Sequence, residues 1–405
     1  MPRRVPGFVL YPFSGVAADC IASQTCLVYI DDFKGKSVEE RRIGSKPFRY
    51  ATRGWTMQEV VMSKKAFFFN KNWTIFGDTE NPQVREGLAE MCQIPPELLC
   101  CGGKPNVGAS VVLQLAARRR TFKPEDRAYS LMGMLGVRLR ADYGEGQSKA
   151  VSRLFEAIIQ NTSDVSIFNW SGTHAGSSVL GRSMYPTDFD GYDNVANLSL
   201  DDDDDERVYD YDSAKETKPA QVHSAVRLDH FGVHACFDIC PLDVIIEKDN
   251  RRALTTVGTL EQLLVKESDS DPANTYCSFT CDFSPPDGSK FTAEVLCSVT
   301  MLKQYLEYLA HPKRERVIKW VMARFSGVEH ANWFLCEMSM KDAPSNEGWF
   351  AEVLQSSGEV GAIWPYMHYL ESAGFPAKRI AMKWDSQKAF RASKKSAKSA
   401  YLWVG

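Results

Sequence analysis

The sequence predicts an α/β domain followed by a mixed α+β region, and three observations carry that prediction. Helix-period and strand-like apolar runs alternate between Gln24 and Gly172, the stretch from Thr173 to Pro219 is rich in Ser, Gly, Asp and Tyr, and short alternating segments dominate from Val222 onward. The expected organisation is a first domain over 1–172, an acidic linker over 173–219 and a C-terminal mixed domain of unknown role over 220–405. With 405 residues, 44% of them apolar and 24% charged, the chain has room for two domains.

In the first region, Cys26 to Ile30 is a short apolar run closed by Asp31 and Asp32, the pattern of a buried strand. Ala66 to Phe69 and Thr74 to Phe76 flank the polar Asn70, Lys71 and Asn72 and predict a hairpin or two linked strands. A helix is expected from about Gly108 to Arg119, with Val111, Val112 and Leu115 on one face. A second helix opens at Pro124 with Glu125 and Asp126 in its first turn, turns Ala128, Leu131, Met132 and Leu135 inward, and ends at Gly136. Val151, Leu154, Phe155, Ile158 and Ile159 keep the i, i+3, i+4, i+7, i+8 spacing of a core-facing stripe, and Val165 to Trp170 reads as a further strand.

Five adjacent aspartates, Asp201 to Asp205, repel one another and mark the middle segment as solvated rather than as a calcium loop, which would alternate carboxylates with turn glycines. Beyond it, His234 to Asp238, Asp243 to Glu247, Tyr276 to Phe283 and Phe291 to Val299 predict strands, whereas Leu302 to Leu309 and Arg316 to Phe325 predict helices. The basic tail carrying Lys388, Arg391, Lys394, Lys395 and Lys398 is expected to be solvated.

Charge and composition exclude several classes. Forty-eight basic against fifty-one acidic residues leave a net charge of −3, which gives no general attraction to nucleic acid. No run of apolar residues is long enough to span a bilayer, and two prolines interrupt the short apolar start, so a non-secretory, cytoplasmic protein is expected. Eleven cysteines without a repeating framework point to reduced thiols. Cys236, Cys240, Cys277 and Cys281 lie near His230 and His234, but the spacing is not that of a zinc knuckle, and residues four apart on a strand are equally two small core groups; no metal is expected. The earliest histidine is His174 and no Gly-x-Ser-x-Gly elbow occurs, which removes a His-dependent nucleophile from the first domain.

Three blocks occur in order: Thr52-Arg53-Gly54-Trp55-Thr56-Met57-Gln58-Glu59, then Arg120 through Glu125-Asp126-Arg127-Ala128-Tyr129-Ser130-Leu131 to Gly133, then Tyr143-Gly144-Glu145-Gly146. Together they resemble the signature blocks of the fungal heterokaryon-incompatibility (HET) domain, over roughly residues 24 to 172. The resemblance departs at the front, where the family's serine-containing strand and its tryptophan-isoleucine-aspartate strand have no counterpart, so an N-terminally incomplete or divergent domain is expected. The resemblance implies a TIR-like, flavodoxin-like α/β fold and a role in self/non-self recognition and programmed cell death. Partners would be other HET-domain or incompatibility proteins or a second copy, and the chain would act as an interaction module without a cofactor. The alternative implied is a TIR-like NAD⁺ hydrolase, with NAD⁺ as substrate.

The residues bear on that choice individually. Glu59 lies one helical turn after Trp55, where an aromatic wall raises a carboxyl pKa and can bind a flat ring, as suits cleavage of a glycosidic bond; the plainer reading makes Glu59 a first-turn carboxylate behind a Thr56 cap. Arg53 and Arg127 are candidate ligand-binding cations, although Arg127 and Asp126 also suit a structural ion pair in a crowded helix junction. Glu145, between two glycines, is either a ligand contact or a cap on the long helix that follows.

Overall fold

The computed structural model describes residues 25–40, 48–171, 184–186, 189–192, 226–229, 232–245, 276–284, 291–298, 316–328, 331–341, 375–382, 387, 390 and 397–404. Among these residues the chain divides into two compact units, the first running to Asp164 and the second beginning at Val165. That division falls ahead of the boundary after 172 that composition suggested. The acidic run, the Leu302 to Leu309 segment, and Lys388, Arg391, Lys394 and Lys395 of the tail lie outside the described residues.

The first unit holds a three-stranded sheet in the order β1 (Cys26–Tyr29), β2 (Ala66–Phe69), β3 (Ile75–Asp78). Strands β1 and β2 are parallel, with Cys26 opposite Ala66 and Tyr29 opposite Phe69, and the crossover between them carries helix α1 (Gly54–Met62). Strand β3 returns antiparallel through the expected hairpin. Asn70 fixes its turn: Oδ1 accepts from the Asn72 and Thr74 amides at 2.9 and 3.0 Å, and Nδ2 donates to the Gly35 carbonyl at 2.8 Å. Mixed α/β architecture is thus present, with one parallel and one antiparallel pairing. The sheet is two-faced: Val28, Ile30, Ala66 and Phe68 are buried, but Leu27 is 66% and Tyr29 37% exposed. The expectation of a strand buried on both sides is corrected, because β1 has only β2 beside it among the described residues and packs one face on α1.

Helix α2 (Pro82–Cys92) starts behind an Asn81 cap, and α3 (Ala109–Ala117) behind Gly108, with Asp164 Oδ2 accepting from the Ala109 amide at 2.7 Å. Leu113 rather than Leu115 completes the buried face of α3. The expected second helix is two short ones, α4 (Asp126–Tyr129) and α5 (Met132–Leu135), and Gly136 leaves in the left-handed conformation as anticipated. Helix α6 (Gln147–Thr162) buries all five residues of its predicted stripe and packs on α4.

The second unit opens with a 3₁₀ turn at Val165–Phe168 instead of a strand. Its apolar residues are drawn into the core of that unit, where Phe168 stacks on Phe325 with ring centroids 5.4 Å apart. Eight strands follow: β4 (Arg227–Asp229), β5 (Gly232–Ile245), β6 (Tyr276–Ser284), β7 (Phe291–Ser298), β8 (Arg316–Phe325), β9 (Phe334–Lys341), β10 (Phe375–Met382) and β11 (Lys398–Val404). Strands β5, β8, β9 and β10 pair antiparallel in succession. The gap between β10 and β5 is closed at one end by β11, parallel to β10 and antiparallel to β5, and at the other by the β6–β7 hairpin, which makes a barrel. Pro241 sits on β5 between the stretch that pairs with β11, ending at Ile239, and the stretch that pairs with β6, starting at Asp243; a residue without an amide hydrogen is tolerated in such a gap.

The helix expected over Arg316 to Phe325 is strand β8. Trp320, Val321, Met322 and Ala323 are all buried, so both faces of the strand are covered, and a continuous apolar run of that kind carries no strand alternation to read. The two segments around His234 and Asp243 form the single strand β5.

Candidate functional site

The three blocks that carry the family resemblance meet at two junctions of the first unit. At one, the second and third blocks are clasped by hydrogen bonds. Gly144 and Gly146 adopt φ of 105° and 81°, open to glycine, and this turn aims both amides at Glu125 Oε1, at 2.8 and 3.1 Å. Hydrogen bonds from backbone amides, its own first and then that of Gly144, hold the Glu125 carboxyl below its ordinary pKa. Tyr143 Oη donates to Asp126 Oδ1 at 2.9 Å, and Tyr129 Oη donates to Glu145 Oε1. Glu145, its side chain 1% exposed, is also ion-paired with Arg153. Glu145 therefore does not cap α6, whose N-cap is Gly146 with no side-chain bond. Arg127 donates to the carbonyls of Ala116 at 2.8 Å, Ala117 at 3.4 Å and Arg119, closing the C-terminal end of α3.

The other junction forms around the start of α1. Arg120 accepts from the Gly54 amide at 3.0 Å and donates to the Thr52 carbonyl at 2.6 Å, a parallel bridge that docks the first block on the second. Close approach requires the glycine, because a Cβ on Gly54 would stand 2.6 Å from Thr121 Cγ2. Arg53 is the exposed N-cap residue, and Thr56, in the first turn, donates its hydroxyl to the carbonyls of Tyr50 at 2.7 Å and Arg53 at 2.8 Å. Thr56 is thus a donor to the preceding loop and not the cap, and Glu59 lies in the second turn, not the first.

Glu59 shares α1 with Trp55, and both are half-buried. Burial pushes the Glu59 carboxyl above its ordinary pKa, opposed first by the Arg53 charge and then by the polar Tyr50 phenol. Tyr50 is itself pushed well above the usual tyrosine value by burial, then by the Glu59 charge. Behind them lies Arg119, 3% exposed, which donates to the Arg53 carbonyl at 3.3 Å, to Thr56 Oγ1 at 3.5 Å and to the Cys92 carbonyl at 2.6 Å. Desolvation lowers its pKa to about 10.

The structure thus places Arg53 at the N-cap of α1, Trp55 and Glu59 one turn apart on that helix, and Arg127 and Glu145 at the separate clasp, with Arg119 bonded to the Arg53 carbonyl and to Arg127. Tyr50 and Arg119 were not singled out from sequence. Their signal was faint: a tyrosine just ahead of the first block, and one arginine in the run Arg118 to Arg120. Chemically, a carboxyl whose pKa is raised by burial, one helical turn from an indole, can hold a proton more readily than an exposed glutamate or face a cationic group.

Among the described residues, no three His, Cys, Asp or Glu side chains converge as a metal site, and no helix is long and apolar enough to cross a membrane. Cys236 and Cys240 lie on β5 as thiols, the first half-buried and the second buried; His230 and the side chains of Cys277 and Cys281 lie outside the described residues.

No family model matches the chain, and no solved structure matches it. The vegetative incompatibility protein HET-E-1 of Podospora anserina is 34% identical to it over 143 residues, 33% of this chain and 10% of that protein. The chain therefore spans about a tenth of the length of the curated relative it matches, and a third of it is related in sequence to a fungal vegetative incompatibility protein.

Proposed function

We propose that this chain acts in fungal self/non-self recognition, as an interaction and signalling module in heterokaryon incompatibility and the cell death that follows it. Similarity to a vegetative incompatibility protein supports the biological setting. The observation that carries the interaction role is the outer face of the three-stranded sheet. Leu27, Tyr29, Trp73 and Ile75 are 66%, 37%, 67% and 52% exposed, and Tyr29 and Trp73 stack with ring centroids 4.4 Å apart. Such an apolar face beside β1, an edge strand among the described residues, suits a strand added by another incompatibility protein or by a second copy.

Co-expression in a fungal host with a full-length incompatibility protein tests this reading. Growth should fall only when both are present, and Leu27→Asp with Tyr29→Asp should restore it without loss of the folded chain. Growth that is unaffected by the partner in every pairing would count against the module.

A second reading is NAD⁺ cleavage with Glu59 as the catalytic carboxylate and Trp55 as the wall for the nicotinamide ring. It is favoured by the burial that raises Glu59 and by the placement of both side chains on α1. On this reading the chain alone depletes cellular NAD⁺, and Glu59→Gln abolishes the loss while the fold is retained. Constant NAD⁺ on expression would remove it.

A further inference from the structure

We propose that Arg53 and Arg120 form a binding site for a diphosphate group at the start of α1, whether as the free ion or as part of a small molecule. The site stands apart from both readings above, since a bound anion serves an interaction module and an enzyme alike. Its geometry begins with the parallel bridge that joins the two arginines. The Arg120 amide donates to the Thr52 carbonyl at 2.6 Å, and the Gly54 amide donates to the Arg120 carbonyl at 3.0 Å. Residues paired in this way send their side chains to the same side of the bridge, and both arginines are exposed. Gly54 permits the approach, because a Cβ there would stand 2.6 Å from Thr121 Cγ2 and 3.1 Å from Ser130 Oγ. The fold thus holds two like charges side by side, where they repel.

Among the described residues, no salt bridge takes up Arg53, Arg119 or Arg120. Glu59 feels the Arg53 charge from the second turn of α1 but forms no salt bridge with it. The helix adds to the excess: its first turn holds no acidic residue and no side chain caps it, so the positive end of its dipole meets Arg53. Arg119 lies beneath the same turn. It donates to the Arg53 carbonyl at 3.3 Å and to Thr56 Oγ1 at 3.5 Å, and its Nε is buried without a hydrogen-bond partner. At 3% exposure, a cation whose acceptors are all neutral is short of a counter-charge. An anion bound across Arg53 and Arg120 relieves both the repulsion and the uncompensated buried charge. Each guanidinium is a planar fork that takes a phosphoryl group in bidentate fashion, so two forks on one side suit two linked phosphoryl groups.

The test is isothermal titration calorimetry of the full chain at low salt with inorganic pyrophosphate and with ADP, the free and the esterified form of the group. At least one should bind, and the tighter of the two names the source. Arg53→Gln and Arg120→Gln should each weaken that binding about tenfold. Arg138→Gln, an exposed arginine elsewhere on the first unit, should leave it unchanged. Without ligand, Arg120→Gln should melt no lower than the parent, because it removes a repulsion and leaves the backbone bridge intact. No binding of either probe, or a loss as large with Arg138→Gln, overturns the proposal. So does an Arg120→Gln variant that melts well below the parent, which would make that arginine a support of the fold.

Discussion

Each unit is fastened by arginines whose guanidinium groups are bonded to main-chain carbonyls, but the reach of those arginines differs. In the first unit Arg127 closes the end of a helix that lies 8 to 11 residues earlier in the chain. In the second, Arg379 on β10 donates to the Phe168 and Trp170 carbonyls at 2.8 and 2.6 Å, across 211 and 209 residues, and lies 3.8 Å over the Trp170 ring. It is 4% exposed, and desolvation lowers its pKa to about 9. A local clasp can form as soon as its turn forms; the distant one forms only after most of a barrel has closed. Comparing the two shows why motif blocks recognisable in sequence lie in the first unit, whereas the second depends on pairings that no short block can announce.

The largest expected effect is at Arg379. Replacing it with leucine leaves two buried carbonyls without their donor and removes the cation from Trp170, at a cost of about 4 kcal/mol in urea unfolding followed by tryptophan fluorescence. A change below about 1 kcal/mol would show that the Trp170 segment is held by its aromatic packing alone. Arg127→Leu should cost less, about 2 kcal/mol, since the guanidinium is half-buried and the helix end it closes can recruit water. Arg127→Lys should recover only part of that loss, because an ammonium cannot span three carbonyls in a plane. Equal losses at both arginines would erase the contrast between local and distant fastening.

The smallest effects concern two glutamates of the first unit and have opposite pH dependence. Glu125 has a lowered folded pKa, so its contribution is present above the ordinary carboxylate range and is lost as pH falls through the lowered value. Glu125→Gln should therefore destabilise near neutrality and converge with the parent in acid. Glu59 has a raised folded pKa, so the cost of ionising it in place grows as pH rises from its unfolded pKa through the folded one. Glu59→Gln should melt slightly higher than the parent at neutral pH and indistinguishably in acid. Parallel pH profiles for the two variants, measured by thermal melts across pH, would contradict these opposite environments.

Much of the first unit could be read from sequence because its elements follow local rules. The α6 stripe, the hairpin around Asn70, the Gly108 start and the Gly136 exit depend on periodicity, turn chemistry and backbone freedom within a few residues. The candidate site was half legible: Trp55 and Glu59 lie one turn apart on a helix, which spacing foresaw, but Tyr50 is brought to them by a loop whose course no periodicity encodes.

What the sequence by itself determined is the β2–β3 hairpin, helix α3 and the stripe of helix α6, because those signals are short-range and chemically specific; helix α2 and the split between α4 and α5 were not among them. The tertiary structure alone decided which side of each ambiguous run is covered. Val165 to Phe168 became a 3₁₀ turn because its apolar residues pack in the second unit, β8 became a strand because partners flank both its edges, and β1 left Leu27 and Tyr29 exposed because β2 is its only described neighbour. In each case the backbone conformation follows from where buried area and strand partners are found, and those lie many residues away.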